Sequence, residues 1–330
     1  MPSLTVPAGS APLRLDAFLA QVLPRGSRRL AQQVIAAGAV RVNGRRARKG
    51  DPVGAGDVIE VAEAAYAPPA LQPNPHLRVP ILYEDADVIA VDKPAGLPTH
   101  ALRFDETETV ANFLLARYPE LAAVGKSPLE AGVVHRLDTD TSGVLLAART
   151  PEAYAALRRQ FSARQVTKEY LALVAGDVAA PGEVRLPIAH DRRKPHLMRA
   201  CTGPGQPGNA RPALTYYRPR ERFGDVTLLE IRIATGVMHQ IRVHLASIGY
   251  PVLGDRLYGG VSAGTAAPRQ LLHASRLGFR HPVSGEPMEV DSHVPADFLA
   301  TLDRLRRTRP APAHRGMVGR RPTPRARRAP

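Results

Sequence analysis

Residues 135–143 read HRLDTDTSG, and they stand between Val133-Val134 on one side and Val144-Leu145-Leu146-Ala147-Ala148 on the other. No other stretch limits the fold as tightly. Short apolar runs of this kind are buried strands or their approaches, so a linking loop with two carboxylates, an imidazole and a guanidinium must find each of them a partner. Asp140, Thr141 and Ser142 suit a loop whose side chains bond nearby backbone groups. Asp138 is different, because it follows Arg136-Leu137 where the flanking valines and leucines bury the loop, and a carboxylate there needs a charged partner. Arg242 is a candidate. Taken alone, these arguments leave Asp138 open to a structural or a catalytic role.

Ahead of this loop, residues 14–61 form a pattern of their own. Leu15, Phe18, Leu19 and Val22 make one apolar helical face, and Leu30, Val34 and Ile35 make a second. Val40-Arg41-Val42 then runs into Asn43-Gly44, a tight-turn signal, and Val58-Ile59-Glu60-Val61 reads as a closing strand. Arg25, Arg28, Arg29, Arg41, Arg45, Arg46, Arg48 and Lys49 fall between Ala17 and Gly50 with no acid among them. A solvated surface mixes its signs, so this one-sided run points to phosphate binding. Residues 65–80 contain five prolines and read as a linker.

From Ile81 onward strands and helices alternate without the regular repeat of a doubly wound fold. Strands are expected over 87–93, 143–149, 167–176 and 227–236. Thr150-Pro151 caps a helix running to about Phe161, Ile241, Leu245 and Ile248 mark a helix across HQIRVHLASIG, and Phe298, Leu299, Leu302 and Leu305 mark a last one.

Charge and composition remove several alternatives. The 330 residues carry a formal +15, but ten arginines and no acid lie between 304 and 330, so most of the excess is a Pro/Arg-rich tail. That tail has almost no large apolar residues and is expected to be disordered beyond about Arg309. Cys201 is the single cysteine, which excludes an internal disulfide and fits a reducing compartment. No apolar run approaches membrane-spanning length and no secretory pattern opens the chain, so a cytoplasmic protein is expected. Gly203–Gly208 formally matches G-x-G-x-x-G, but its prolines forbid the strand-turn-helix context of a dinucleotide site. No G-x-x-x-x-G-K-[ST] loop occurs, and His239 and His244 are off one helical face, so neither a nucleotide cofactor nor a metal is expected.

Taken together, LYEDADVIAVDKPAGLPTH, GVVHRLDTDTSGVLLAAR, VTKEYLALVAG, MHQIRVHLASIGYPVLGDRLYGG and LLHASRLGFRHPVSGEPMEV resemble successive blocks of the RluA-type RNA pseudouridine synthases, from about Leu82 to Phe298. The amino-terminal segment resembles the small RNA-binding domain named after the fourth small-subunit ribosomal protein. The resemblance implies an α+β catalytic domain on a mixed, largely antiparallel sheet with a central cleft, preceded by a small α/β RNA-binding module. It also implies the activity: breaking the bond from ribose to a uracil ring nitrogen, turning the base, and rejoining the sugar to a ring carbon, without cofactor.

Carried over by position, Asp138 is the essential carboxylate, as nucleophile or base; Arg242 pairs with it; Tyr170 stacks on the uracil; Arg136 fills the space left by the flipped nucleotide. His135 and His239, the histidines of the two motifs, are expected among the substrate contacts. One departure stands out. The family has Gly-Arg-Thr or Gly-Arg-Lys before HQIR, whereas Gly236 here precedes Val237-Met238, so an arginine is missing beside the site.

The expected organisation is an RNA-binding module over 1–64, a linker over 65–80, a catalytic domain over 81–306 and a basic tail over 307–330. The expected substrate is structured RNA, with large-subunit ribosomal RNA ahead of tRNA, and the chain is taken as a monomer. A non-catalytic RNA-binding protein that keeps the fold is the first rival, and a glycoside hydrolase using Asp138 with Asp140 is the second.

Overall fold

Apolar positions before residue 62 and those from Leu71 onward build separate cores. The computed structural model describes residues 3–23, 26–62, 70–191, 193–194, 196–203, 207–259 and 267–308. Arg25, the middle of the Gly203–Gly208 loop and the arginine-rich tail from 309 lie outside the described residues. The chain divides into two units, Met1–Ala70 and Leu71–Pro330.

In the first unit, α1 (Leu15–Val22) and α2 (Arg28–Ala36) place Leu15, Leu19, Val34 and Ile35 in the core. Ser27 caps α2 by accepting the N–H of Leu30. The antiparallel sheet has the order β1 (Ser3–Thr5), β6 (Val58–Val61), β3 (Val40–Val42), β4 (Arg45–Arg46), while β2 (Leu13–Arg14) pairs with β5 (Pro52–Val53). Asn43-Gly44 turns the chain between β3 and β4 with both residues at positive φ, 49° and 74°. Val22, expected on the apolar face of α1, is the last residue of that helix and is 39% exposed.

The second unit is built on a sheet of order β11 (Gly182–Val184), β14 (Thr215–Arg222), β15 (Val226–Ile233), β10 (Thr167–Ala175), β16 (Leu272–Arg280), β9 (Ser142–Ala148), β8 (Val88–Lys93), β7 (Ile81–Glu84), with β17 (Pro287–Asp291) added on β16. It is mixed and largely antiparallel: among these pairs only β9 and β16 run parallel, where Ser142 and Gly143 meet His273 and Ala274. Gly143 is required there. Its φ is +115°, and a Cβ would lie 2.1 Å from the carbonyl oxygen of Ala274, so the last residue of HRLDTDTSG is what lets two strands approach at the middle of the sheet.

A short hairpin, β12 (Ile188–His190) and β13 (Met198–Ala200), stands apart from this sheet. Helices α3 (Val110–Arg117), α4 (Pro151–Ser162), α5 (Gln240–Ser247) and α6 (Ala296–Thr308) complete the unit. Thr109 and Thr150 cap α3 and α4 through their hydroxyls, as Thr150-Pro151 implies. Phe298, Leu302 and Leu305 bury α6 against Leu171, Leu173 and Leu228. Leu299, expected with them, is 42% exposed, one position off the buried face.

Leu71 and Val79 are buried in the core of the second unit, so residues 71–80 pack on that unit although they were expected as linker. Prolines forbid regular hydrogen bonding without forbidding burial. No helix among the described residues is long and apolar enough to cross a membrane.

Candidate active site

The HRLDTDTSG loop is held by its backbone. Thr99 donates its hydroxyl to the Leu137 carbonyl at 2.8 Å and accepts the Leu137 N–H. Lys93 is fully buried, and its ammonium donates to the carbonyls of Pro94, Leu97 and Thr139 at 2.8, 2.6 and 2.8 Å. Burial draws its pKa down to about 7 against the opposing pull of Asp140 and Asp138. Three carbonyls match the three donors of the charged form, which supports the ammonium in the fold. Arg269 donates to the Asp140 carbonyl and pairs with Asp297. With its backbone committed, the loop sends its side chains in different directions.

His135 turns inward. Its Nε2 accepts the N–H of Leu146 at 3.0 Å and its ring stacks on Phe161 at 4.8 Å between centroids. It borders the cavity described below, while its Nε2 is spent on β9. Burial, with Lys168 and Arg158 nearby, drives its pKa down to about 3. An unfolded histidine titrates near ~6.5. Between those values the unfolded chain holds the extra proton, so this stabilisation is complete above about pH 6.5 and is lost as pH falls toward 3. Burial lowers His239, His244 and His273 in the same direction. The urea midpoint of the native protein is therefore expected to decline below about pH 6.5, and His135→Gln to flatten that decline by up to ~1.4 kcal/mol per pH unit. An unchanged slope in the variant would contradict this role.

Arg136 and Asp140 are exposed. Asp138 faces a cavity of about 460 Å³ that is also lined by Tyr170, Lys168, Arg211, His239 and Arg242. Its Oδ2 accepts from Arg242 Nη1 at 2.9 Å, and its Oδ1 lies 4.0 Å from His239 Nε2. Asp140, on the same loop, is not among the residues that line this cavity, so it is not placed beside Asp138 as the second carboxylate a glycoside hydrolase would need.

The helix that supplies Arg242 is anchored by its own polar residues. Gln240 accepts from the Val237 N–H and the Thr235 hydroxyl and donates to the Leu214 carbonyl and Thr215. His244 bonds Thr215 and the Leu186 carbonyl. His239 caps the helix in the left-handed region, φ 56°, an uncommon conformation for a residue with a side chain. The motif therefore divides its labour: Gln240 and His244 fix the helix, while His239 and Arg242 reach the cavity.

Two further groups, Asp255 and Tyr258, complete the site. Asp255, 0% exposed, takes Arg242 Nε and Nη2 at 2.6 and 2.9 Å and accepts the N–H groups of Leu257 and Tyr258. The Tyr258 ring lies 5.1 Å from the Arg242 guanidinium, and its hydroxyl meets His239 Nδ1 at 2.8 Å and accepts from the Met198 N–H. The available signal was GD-x-x-YG following HQIR. Burial opposes the charge of Arg242, but Asp255 and then Asp138 outweigh it and hold its pKa above the ordinary value.

Tyr170 is buried on β10 and lines the cavity. Burial and then Asp138 push its pKa up, so it is a phenol and not a phenolate. Lys168, two residues earlier on the same side of the strand, donates to the Thr235 carbonyl at 2.9 Å, and burial lowers its pKa to about 8. Val237 packs with Ile188, Met198 and Val243, so an apolar contact occupies the turn where the resembling family carries arginine.

In the first unit Arg28, Arg29, Arg41, Arg45, Arg46, Arg48 and Lys49 are all exposed. Arg41 and Arg46 stand opposite one another across β3 and β4, a like-charge pairing that an anionic partner would relieve. A roomier groove of about 770 Å³ lies across β10, β14 and β15, but its charges pair with one another, Arg276 with Asp291 at 2.6 Å and Arg220 with Glu230 at 3.3 Å. Asp85, Asp87 and His281 also converge. There His281 Nδ1 accepts two backbone N–H groups, which makes Nε2 the proton carrier that donates to Asp85 and a poor metal ligand.

Against this geometry the comparisons are specific. The RNA pseudouridylate synthase family matches residues 87–247, and the S4 domain matches residues 13–59. A ribosomal large subunit pseudouridine synthase D of Xanthomonas campestris pv. campestris is 41% identical over 313 residues, spanning 91% of each chain. The chain belongs to the RNA pseudouridylate synthase family. Its counterpart in Xylella fastidiosa is 42% identical over 315 residues and 92% of each chain. Among solved structures, human RNA pseudouridylate synthase domain containing 1 superposes with a TM-score of 0.55 at 31% identity, covering 71% of this chain and 90% of that one. The human domain containing 4 protein gives 0.56 at 26% identity, covering 69% and 93%. This pseudouridine synthase is thus an α+β enzyme that isomerises uridine in RNA and carries an S4 domain at its amino-terminal end.

Proposed function

We propose that this synthase acts on uridine in large-subunit ribosomal RNA, with Asp138 as the carboxylate on which the chemistry turns. One observation carries the assignment: Asp138 offers one oxygen to the cavity while the other is fixed by Arg242 at 2.9 Å. The reaction must break the C1′–N1 bond, rotate the uracil, form C1′–C5, release the C5 proton and protonate N1. An anionic oxygen aimed at the everted nucleotide can serve as nucleophile or as base in that sequence.

Reaching a glycosidic bond in structured RNA requires everting the nucleotide, at a cost of a few kcal/mol, and stacking on an aromatic face such as Tyr170 returns ~1–3 kcal/mol. Arg136, exposed on the Asp138 loop, has the reach and charge to occupy the vacated stack. Lys168 and Arg211 line the cavity and offer cations to the flanking phosphates and to the charge that develops on the departing uracil. The arginines of the S4 domain supply a second, sequence-tolerant grip on the RNA. The names of the Xanthomonas and Xylella relatives support the ribosomal substrate.

The test is to map pseudouridine after incubating the purified protein with unmodified large-subunit ribosomal RNA and, separately, with unmodified tRNA. New pseudouridines are expected in the ribosomal RNA. Modification confined to tRNA, or RNA binding without any isomerised uridine, would overturn the proposal.

A further inference from the structure

We infer that Asp255 sets the reactivity of Asp138 by dividing Arg242 between two carboxylates. The inference rests on the role proposed for Asp138. Arg242 gives the fork of its guanidinium, Nε and Nη2, to Asp255 at 2.6 and 2.9 Å, and only Nη1 to Asp138 at 2.9 Å. Asp255 is the fully buried member, whereas the Asp138 side chain is 19% exposed. A bidentate pair in a desolvated setting is the stronger one, so Asp255 consumes most of the positive charge. Three groups then carry a net charge of minus one, and the surplus rests on the carboxylate that faces the cavity. Asp138 is aimed by its single hydrogen bond without being fully neutralised. Leu257 and Tyr258 N–H groups hold Asp255, and the Tyr258 ring lies 5.1 Å from the guanidinium, which fixes the plane of the fork. Asp255 touches no substrate and is a positioning residue.

The groups around Asp138 come from several elements: Arg242 and His239 from α5 and its cap, Tyr170 and Lys168 from β10, Lys93 from β8, Arg158 from α4, Arg211 before β14, Tyr258 from the segment after α5, and Arg136 and Asp140 from its own loop. His239 is a titratable neighbour, with Nε2 4.0 Å from Asp138 Oδ1, so the measurement is made in both the native and His239→Gln backgrounds.

The experiment is the pH profile of kcat/KM for tritium release from RNA labelled at uracil C5, with folding of each variant checked by circular dichroism. Asp255→Asn frees the charge of Arg242 for Asp138. The acid limb is expected to move down by about one pH unit and the plateau to fall about tenfold, because the better-neutralised carboxylate is the weaker nucleophile or base. Arg242→Lys, whose point charge cannot bridge two carboxylates, is expected to stay with buried Asp255 and move the limb up by about one unit. A limb that stays in place in either variant, or rises in Asp255→Asn, would overturn the inference and leave Asp255 a structural prop. If Asp255→Asn does not fold, the limb of Arg242→Lys decides by itself. Loss of all activity in Asp138→Asn with an unmoved Asp255→Asn limb would keep the role of Asp138 and sink only this inference.

Discussion

Asp138→Asn is expected to abolish isomerisation, lowering tritium release from C5-labelled RNA by roughly 10⁴-fold or more while leaving RNA binding within a factor of about two. The substitution keeps the shape of the side chain, and its remaining carbonyl oxygen can still accept the Arg242 Nη1 hydrogen bond. What disappears is the anionic oxygen facing the cavity. The loop itself is anchored through Thr99, Lys93 and Arg269, none of which bonds the Asp138 side chain. Stability should therefore change by less than about 1 kcal/mol. A variant retaining more than a tenth of native turnover would remove Asp138 from the chemistry.

Arg242→Met is expected to damage both stability and turnover. It removes the guanidinium from between two carboxylates and leaves Asp255, 0% exposed, without a counter-charge. Breaking a buried pair on one side costs about 3–5 kcal/mol, because the remaining ion stays desolvated. Urea unfolding should show that loss, and tritium release should fall by ~10²-fold or more, since Asp138 loses the donor that orients it. Adding Asp255→Asn to Arg242→Met should recover a large part of the stability, by removing the stranded charge, and none of the activity. Equal stability of the single and double variants would mean that Asp255 is not held by Arg242 in solution.

Much of this site was legible in the sequence because its chemistry is local. HRLDTDTSG and HQIR each fix a backbone shape as well as a charged group, and Asp138 pairs with Arg242 at 2.9 Å beside the cavity. The element pattern was equally readable, since apolar alternation and threonine caps act within a few residues. The two histidines were not distinguishable. His135 and His239 each stand near a charged residue in its motif, yet one imidazole is turned to the backbone of Leu146 and the ring of Phe161, and the other to Tyr258 and Asp138. Side-chain direction there depends on acceptors and rings that come from other elements. Val237 is a similar case: the sequence shows an arginine missing, and only packing shows that Ile188 and Met198 enclose the valine put in its place.

The sequence by itself determined the family, the mixed sheet with its amino-terminal RNA-binding module, and the pairing of Asp138 with Arg242. Tertiary structure alone decided that Arg242 answers to two carboxylates, that Lys93 ties three carbonyls beneath the loop, and which imidazole lies beside Asp138. The physical reason is range. Helix, strand and turn preferences are set by neighbours along the chain, whereas the charge on a buried group is set by whatever the fold brings within a few ångströms of it.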